Sequence, residues 1–167
     1  MQLAGRQLVE TLVVAGVGNR DRADDGFGPA LARRLLIRGW GNAIDCGDRL
    51  EDYTADIASK KPKTILIADA VEMRAQPGKI ALFEISGLPP VCHAHAPSLR
   101  TAMEYLRART GAEVLLLGVQ PGRVCNGQGL SREVKSALNE IVEMVTRSGA
   151  EPGKSHHRED EWASRTR

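Results

Sequence analysis

A glycine-rich turn directly after a short apolar run constrains the fold of this chain more than any other feature. The run covers residues 12–15, is rich in β-branched side chains, and is short enough to be a buried strand. Gly16 and Gly18 follow it. Leu31, Leu35 and Leu36 then recur at helical spacing, with arginines on other faces. The pattern predicts a strand, a glycine turn and a helix.

The same turn is a poor phosphate-binding loop, although strand, glycine turn and helix is also the context of a dinucleotide site. Asp21 stands where a dinucleotide fingerprint needs its third glycine, and Asp24 and Asp25 add further negative charge. At about 5 Å and an effective dielectric of about 20, each carboxylate would repel a phosphate charge by roughly 3 kcal/mol. A nucleotide ligand is therefore disfavoured.

The adjacent carboxylates Asp24 and Asp25 suggest a division of roles. A carboxylate at a helix N-terminus accepts hydrogen bonds from free backbone N–H groups and meets the positive end of the helix dipole. One aspartate is enough for this, so we expect Asp24 to cap the helix and Asp25 to project from its first turn. Pro29 is compatible with this position because the missing N–H costs little near a helix start.

Length and composition indicate a single globular domain with reduced cysteines. The chain has 167 residues, 42% of them hydrophobic, and a net charge of +2 without a basic stripe, so nucleic acid is an unlikely partner. Three cysteines without C-x-x-C spacing indicate free thiols. No apolar run is long enough to span a bilayer and no signal pattern opens the chain, so we expect a cytoplasmic monomer without membrane insertion.

The order of predicted elements gives the fold class. Strands are predicted at 42–47, 64–68, 79–85 and 113–119, and helices at 50–59, 97–109 and 130–145. The connection before 79–85 is too short for a parallel crossover, so that strand should be antiparallel. We predict a three-layer α/β/α domain over residues 1–149. Its twisted sheet has about five mostly parallel strands with helices on both faces, and residues 150–167 form a polar, flexible tail.

Asp25 and Asp69 are expected to converge. Ligands of a doubly wound sheet bind outside the carboxyl ends of the strands where the winding direction switches, and those ends carry the Asp25 turn and Asp69. Taken alone, Asp69 could equally cap a following turn or pair with Arg20 or Arg22. If ionised together without a metal, the two carboxylates would repel, so one pKa should rise.

A histidine could complete a metal site with these carboxylates. His95 and His93 both precede the predicted helix at 97–109, and His95 is preferred because it abuts the helix start. Two carboxylates and one imidazole with open positions suit nickel, zinc or iron, and do not make a closed structural site. The tail pair His156 and His157 lacks surroundings that would orient it for metal.

Several short motifs in this order resemble those of the hydrogenase maturation proteases, endopeptidases that trim the C-terminus of the nickel-iron hydrogenase large subunit. The resemblance spans residues 12 to about 145. The matching segments are GVGN at 16–19, DDGFG at 24–28, DCG at 45–47, IADA at 67–70, His95 with Leu99, and GVQP at 118–121.

The resemblance implies specific roles for three residues. Asp25, Asp69 and His95 match the family's metal-binding positions, and our own hypothesis adds that Asp25 and Asp69 are the catalytic carboxylates. It further implies that the relevant nickel arrives in the substrate, the large-subunit precursor, so that the site checks completed nickel insertion. No organic cofactor is expected. Arg20, Asp21 and Arg22 replace a segment that usually includes an apolar residue, and Cys46 replaces a glycine. These departures concern which hydrogenase is recognised.

Three rival functions are weighed against proteolysis by these carboxylates. Cys92 lies near His93 and His95 in sequence, but residues this close rarely reach nucleophile-base geometry, which disfavours a thiol protease. The same three ligands could also serve a nickel-sensing chaperone that binds the immature subunit without cutting it. A zinc-dependent amidohydrolase acting on small molecules is the remaining alternative.

Overall fold

Long apolar runs build a five-stranded sheet at the centre of the protein. The computed structural model describes residues 11–88, 96–127 and 129–147. The strands are β1 (Leu12–Gly16), β2 (Ala43–Asp45), β3 (Thr64–Ala70), β4 (Ile80–Glu84) and β5 (Glu113–Val119). Their order across the sheet is β2-β1-β3-β5-β4, and all pairs are parallel except β4 with β5. The predicted central position of β3 and the antiparallel direction of β4 are both confirmed.

Four α-helices of the described ranges cover the sheet. They are α1 (Phe27–Ile37), α2 (Thr54–Ser59), α3 (Ala96–Thr110) and α4 (Arg132–Arg147). The helix predicted at 50–59 divides into a 3-10 segment, Leu50–Tyr53, followed by the short α2. Ser131 precedes α4 and its Oγ accepts the Val134 N–H at 3.4 Å, as expected of a capping residue.

Alternating side chains divide the core into two layers. Val14 and Leu66 face the layer formed with α1 and α4, whereas Val13 and Ile65 face the layer formed with α2 and α3. This confirms the predicted three-layer α/β/α class. One detail of the α1 stripe is wrong: Leu31 and Leu35 are buried, but Leu36 is 46% exposed.

The expectations for the tail, the cysteines and membrane spans have different outcomes. The predicted tail at 150–167, with His156 and His157, lies outside the described residues, as does Cys92. Cys46 and Cys125 are free thiols, as expected. None of the helices within the described ranges combines the length and apolar character needed to cross a bilayer.

Close backbone packing explains why the turn after β1 needs glycines. A Cβ atom on Gly28 would lie 2.2 Å from both the Ala68 and the Val17 carbonyl oxygens. A Cβ on Gly16 would in turn lie 2.0 Å from the Gly28 carbonyl oxygen. The start of α1 can therefore approach the ends of β1 and β3 only without side chains at these positions.

We expect Gly28→Ala to destabilise the fold by about 3 kcal/mol or more, because the methyl group meets backbone atoms that cannot move aside. Urea unfolding measures this change. Gly41→Ala is the matched control, since a Cβ at Gly41 meets nothing within 4 Å. Equal stability of the two variants would contradict the packing argument.

Candidate active site

The candidate site lies at the C-terminal edge of β1 and β3. Chain connections from β1 lead to β2 on one side and, later, to β3 on the other, so the winding direction switches between β1 and β3. A crevice at such a switch point is where open α/β sheets bind ligands.

Backbone hydrogen bonds fix the glycine turn across this edge. The Val17 N–H donates to the Ala68 carbonyl at 2.8 Å, and the Gly18 N–H donates to the Gly47 carbonyl at 2.7 Å. The Cys46 N–H donates to the Gly16 carbonyl at 2.9 Å. The turns after β1 and β2 and the C-terminal end of β3 are thereby held together as one rim.

Asp25 lies on a single 3-10 turn, Ala23–Gly26, which packs against β3. Its side chain is partly exposed, and its Oδ2 accepts the Asn19 N–H at 3.3 Å. A Cβ on Gly18 would lie 1.8 Å from the Asp25 carbonyl oxygen, so the glycine loop presses directly on this residue. Asp25 thus projects from the turn just before α1, close to its predicted place.

Asp69, near the end of β3, has an unusual ionisation. Burial raises the pKa of its carboxyl, the negative charge of Asp25 raises it further, and the Ala70 N–H opposes this in part, leaving the pKa at about 8. The structure therefore brings Asp25 and Asp69 close enough to influence each other, as the switch-point argument predicted. At neutral pH one carboxyl of the pair holds a proton.

The third predicted ligand cannot be located in the same way. His95 and its competitor His93 lie outside the described residues. Within residues 11–88, 96–127 and 129–147, no group of three histidine, cysteine, aspartate or glutamate side chains is arranged to hold a metal ion. The role of His95 in a three-ligand site therefore stays a prediction.

Arg20 pairs with Asp45 rather than with Asp69, the carboxylate considered from the sequence. Its guanidinium forms an ion pair with Asp45, at the end of β2, and not with Asp69. Asp45 also accepts the Gly47 N–H at 3.2 Å. This ion pair links the β1 and β2 turns and leaves the β3 edge to Asp25 and Asp69.

The predicted capping role of Asp24 is wrong. Gly26 occupies the N-cap of α1, without a side-chain hydrogen bond, and Asp24 is completely buried. Its carboxylate accepts the N–H groups of Gly122 at 2.8 Å, Arg123 at 2.9 Å and Ser131 at 2.6 Å. The 3-10 turn directs the Asp24 side chain inward. There its carboxylate accepts three backbone hydrogen bonds from the segment after β5 and none from the start of α1.

The hydrogen bonds to Asp24 also determine its charge. Burial by itself raises the pKa of this carboxyl, but the bonds from Ser131, Arg123 and Gly122 outweigh burial and hold the pKa below its ordinary value. Asp24 therefore releases its proton more readily than an ordinary aspartate, and its carboxylate holds together two segments of the chain beside Asp25.

Gln120 is a buried polar residue at this edge whose role no local sequence pattern predicts. It follows β5 and is 4% exposed. Its Oε1 accepts the Met73 N–H at 2.7 Å and the Ala75 N–H at 3.2 Å, and its Nε2 donates to Glu72 at 3.0 Å. Two signals in the sequence pointed to Gln120: an amide directly after a nearly all-apolar strand, and its place in the GVQP segment at 118–121.

Comparison with known proteins agrees with this architecture. A family model described as hydrogenase maturation protease, HycI, matches residues 29–148, a segment that begins just after Asp25 and contains Asp69. This chain belongs to that family. The Hydrogenase 3 maturation protease of Escherichia coli K12 is 30% identical over 139 residues, covering 81% of this chain and 88% of the relative.

Solved structures of hydrogenase maturation proteases share the fold. The HycI protease of Thermococcus kodakarensis KOD1 superposes with a TM-score of 0.74 at 26% identity, covering 83% of this chain and 92% of the other. The solution structure of the E. coli endopeptidase HycI gives 0.70 at 28% identity, covering 80% and 87%. The resemblance inferred from the motifs is confirmed, and the protein is a peptidase of the hydrogenase maturation class.

The chemistry available to this hydrogenase maturation protease follows from the carboxyl pair. An ionised carboxylate next to a protonated one can accept a proton from water and donate one to a leaving group, as in aspartic hydrolases. The raised pKa of Asp69 means that the folded state binds a proton that the unfolded chain has already released above about pH 4.

We expect the free energy of unfolding to fall as pH rises from about 5 to about 8, because the native state binds more protons than the unfolded state in this window. The contribution of Asp69 is at most about 1.4 kcal/mol per pH unit. Asp69→Asn should remove this slope, which urea unfolding at several pH values measures. Asp21→Asn, an exposed aspartate in the same glycine turn, should keep it. Identical slopes for all three proteins would contradict the assignment.

Proposed function

We propose that this protease removes the C-terminal extension of a nickel-iron hydrogenase large-subunit precursor after nickel has been inserted. Nickel already seated in the substrate docks on Asp25, Asp69 and His95, so that the site reads completed metal insertion. The observation that carries the proposal is the electrostatic pairing of Asp25 and Asp69 at the switch point of the sheet, in a chain of the hydrogenase maturation protease family.

The donor set suits this role. Two carboxylates and one imidazole leave coordination positions open, and they match a borderline divalent ion such as nickel. A site that must inspect a metal held by another protein needs this incomplete ligand set, because the substrate supplies the remaining ligands. The exposed part of Asp25 and the edge position of Asp69 fit such a docking event.

Support for His95 comes from the direction of α3. This helix ends at Thr110, just before β5 begins at Glu113, so its last turn lies near the N-terminal ends of the parallel strands. Its first turn therefore lies towards their C-terminal ends, the edge that carries Asp69. Its first residue, Ala96, follows His95 directly. α3 also packs on the face of the sheet that includes Ile65 and Ile67, and Asp69 shares that face by strand alternation.

The proposed hydrolysis uses the two carboxylates directly. Docking of the substrate fixes the scissile bond beside a water molecule that one carboxylate of the pair orients and deprotonates. The neighbouring carboxyl, Asp25 or Asp69, supplies a proton to the departing amine. The substrate's nickel aligns the peptide and can polarise its carbonyl group.

Asp25→Asn should slow cleavage at least about 100-fold, because the amide can neither deprotonate water nor bind nickel as a carboxylate does. The assay incubates purified protein with nickel-loaded large-subunit precursor and follows the precursor mass. Asp21→Asn is the matched control in the same turn, and Cys92→Ala tests the thiol alternative. Both should cleave within about threefold of wild type.

Each rival has a distinct outcome in this assay. An active Asp25→Asn variant would overturn the site assignment, and an inactive Cys92→Ala variant would favour the thiol protease. Precursor that binds but keeps its mass would indicate a non-cleaving chaperone. Stoichiometric zinc in the purified protein would favour the amidohydrolase, because the proposed protease receives its metal from the substrate.

A further inference from the structure

Two enclosed polar side chains converge on the end of β5. Asp24 and Gln120 are the buried polar residues of the described ranges, 0% and 4% exposed. A buried polar group is costly unless hydrogen-bonded, and both side chains are fully engaged. Neither is among the groups that we assign to chemistry. Their hydrogen bonds nevertheless involve the segments that carry the two proposed catalytic carboxylates, Asp25 and Asp69.

Asp24 connects the Asp25 turn to the segment after β5. It immediately precedes Asp25 on the one 3-10 turn, and its carboxylate holds the N–H groups of Gly122, Arg123 and Ser131. The Asp24 N–H itself donates to the Arg123 carbonyl at 3.2 Å. These bonds tie the short turn that carries Asp25 to the segment after β5, in addition to the contacts of Asp25 with Asn19 and Gly18.

Gln120 performs the equivalent connection for Asp69. The chain leaving β3 passes from Asp69 to Glu72, Met73 and Ala75, and the Gln120 side chain contacts all three of the latter. Backbone bonds reinforce this, because the Val71 N–H donates to the Val119 carbonyl at 2.8 Å. The end of β3 is therefore attached to the end of β5.

The two attachments meet within a few residues. Only Pro121 separates Gln120 from Gly122 in the chain, and Gly122 lies against both attached segments: a Cβ on Gly122 would lie 3.4 Å from Asp24 Oδ2 and 3.3 Å from the side chain of Pro77. The two attachments therefore share the short segment 120–122. The end of β5 acts as a common support for both carboxylate-bearing turns.

We propose that Asp24 and Gln120 are positioning residues that together set the separation between the Asp25 and Asp69 carboxylates. The expected effect on kcat rests on the proposed function, whereas the expected effect on the separation of the two carboxylates does not. Loss of either attachment moves one carboxylate relative to the other without removing a reacting group. Carboxyl separation is critical for shared protons and shared metal ions, where displacements near 1 Å cost about 100-fold.

The test compares Asp24→Asn and Gln120→Met with a matched core variant, Val142→Ala. Asparagine keeps the shape of Asp24 but presents an N–H₂ group to backbone donors, and methionine fills the space of Gln120 without accepting a hydrogen bond. Val142 is buried in α4, and its truncation weakens the fold without touching either attachment. The readouts are kcat and KM for precursor cleavage, and crystal structures of the three variants.

We expect kcat to fall at least about tenfold in Asp24→Asn and Gln120→Met, with KM within about threefold, and the Asp25 to Asp69 separation to change in both crystal structures. Val142→Ala should keep both kcat and separation. Unchanged separation in the two polar variants would overturn the proposal, whatever their activity. A fall in kcat of equal size in Val142→Ala would also overturn it, by showing that lost stability is sufficient.

A reciprocal exchange keeps the test decisive if Gln120→Met does not fold. Gln120→Glu keeps an acceptor for Met73 and Ala75 but places a carboxyl group against Glu72. Adding Glu72→Gln restores the hydrogen bond between the two side chains with donor and acceptor exchanged, while the bond from Gln120 Nε2 to the Pro121 carbonyl stays lost. The double variant should therefore recover kcat and carboxyl separation partway from Gln120→Glu towards wild type. Failure of this rescue would contradict the role of Gln120.

If wild type does not cleave precursor, the proposed function fails, while the separations measured in the crystals still decide the positioning role.

Discussion

The structure depends on the close approach between the glycine turn after β1 and the end of β3. The Val17 to Ala68 hydrogen bond continues the β1–β3 pairing beyond the strand, and it is possible because Gly16 and Gly28 present no side chains at the contact. This approach brings the Asp25 turn over β3. Without it, the two carboxylates would belong to separate turns and could not act on each other.

Two aspartates at this edge show how local donors decide the charge of a buried carboxyl. Asp24 and Asp69 both lose water on folding, which raises the pKa of each. Asp24 then gains three backbone N–H donors, which lower its pKa below the ordinary value, whereas Asp69 meets the negative charge of Asp25 and its pKa rises to about 8. The same loss of water thus leaves Asp24 easier to ionise and Asp69 harder to ionise than an ordinary aspartate.

This arrangement also links stability to function. A protonated Asp69 is tolerated in the fold, whereas its ionised form is destabilising, so the Asp25 and Asp69 pair lowers the free energy of unfolding as pH rises from about 5 to about 8.

The sequence by itself determined the α/β class, the central place of β3, the direction of β4 and the convergence of Asp25 with Asp69. These follow from local patterns: apolar runs, a short connection, and residues at strand ends that a switch point must bring together. Tertiary structure decided the rest. The inward direction of Asp24, the pairing of Arg20 with Asp45 and the contacts of Gln120 depend on groups distant in the chain, and no local pattern specifies which distant donors a buried polar side chain will meet.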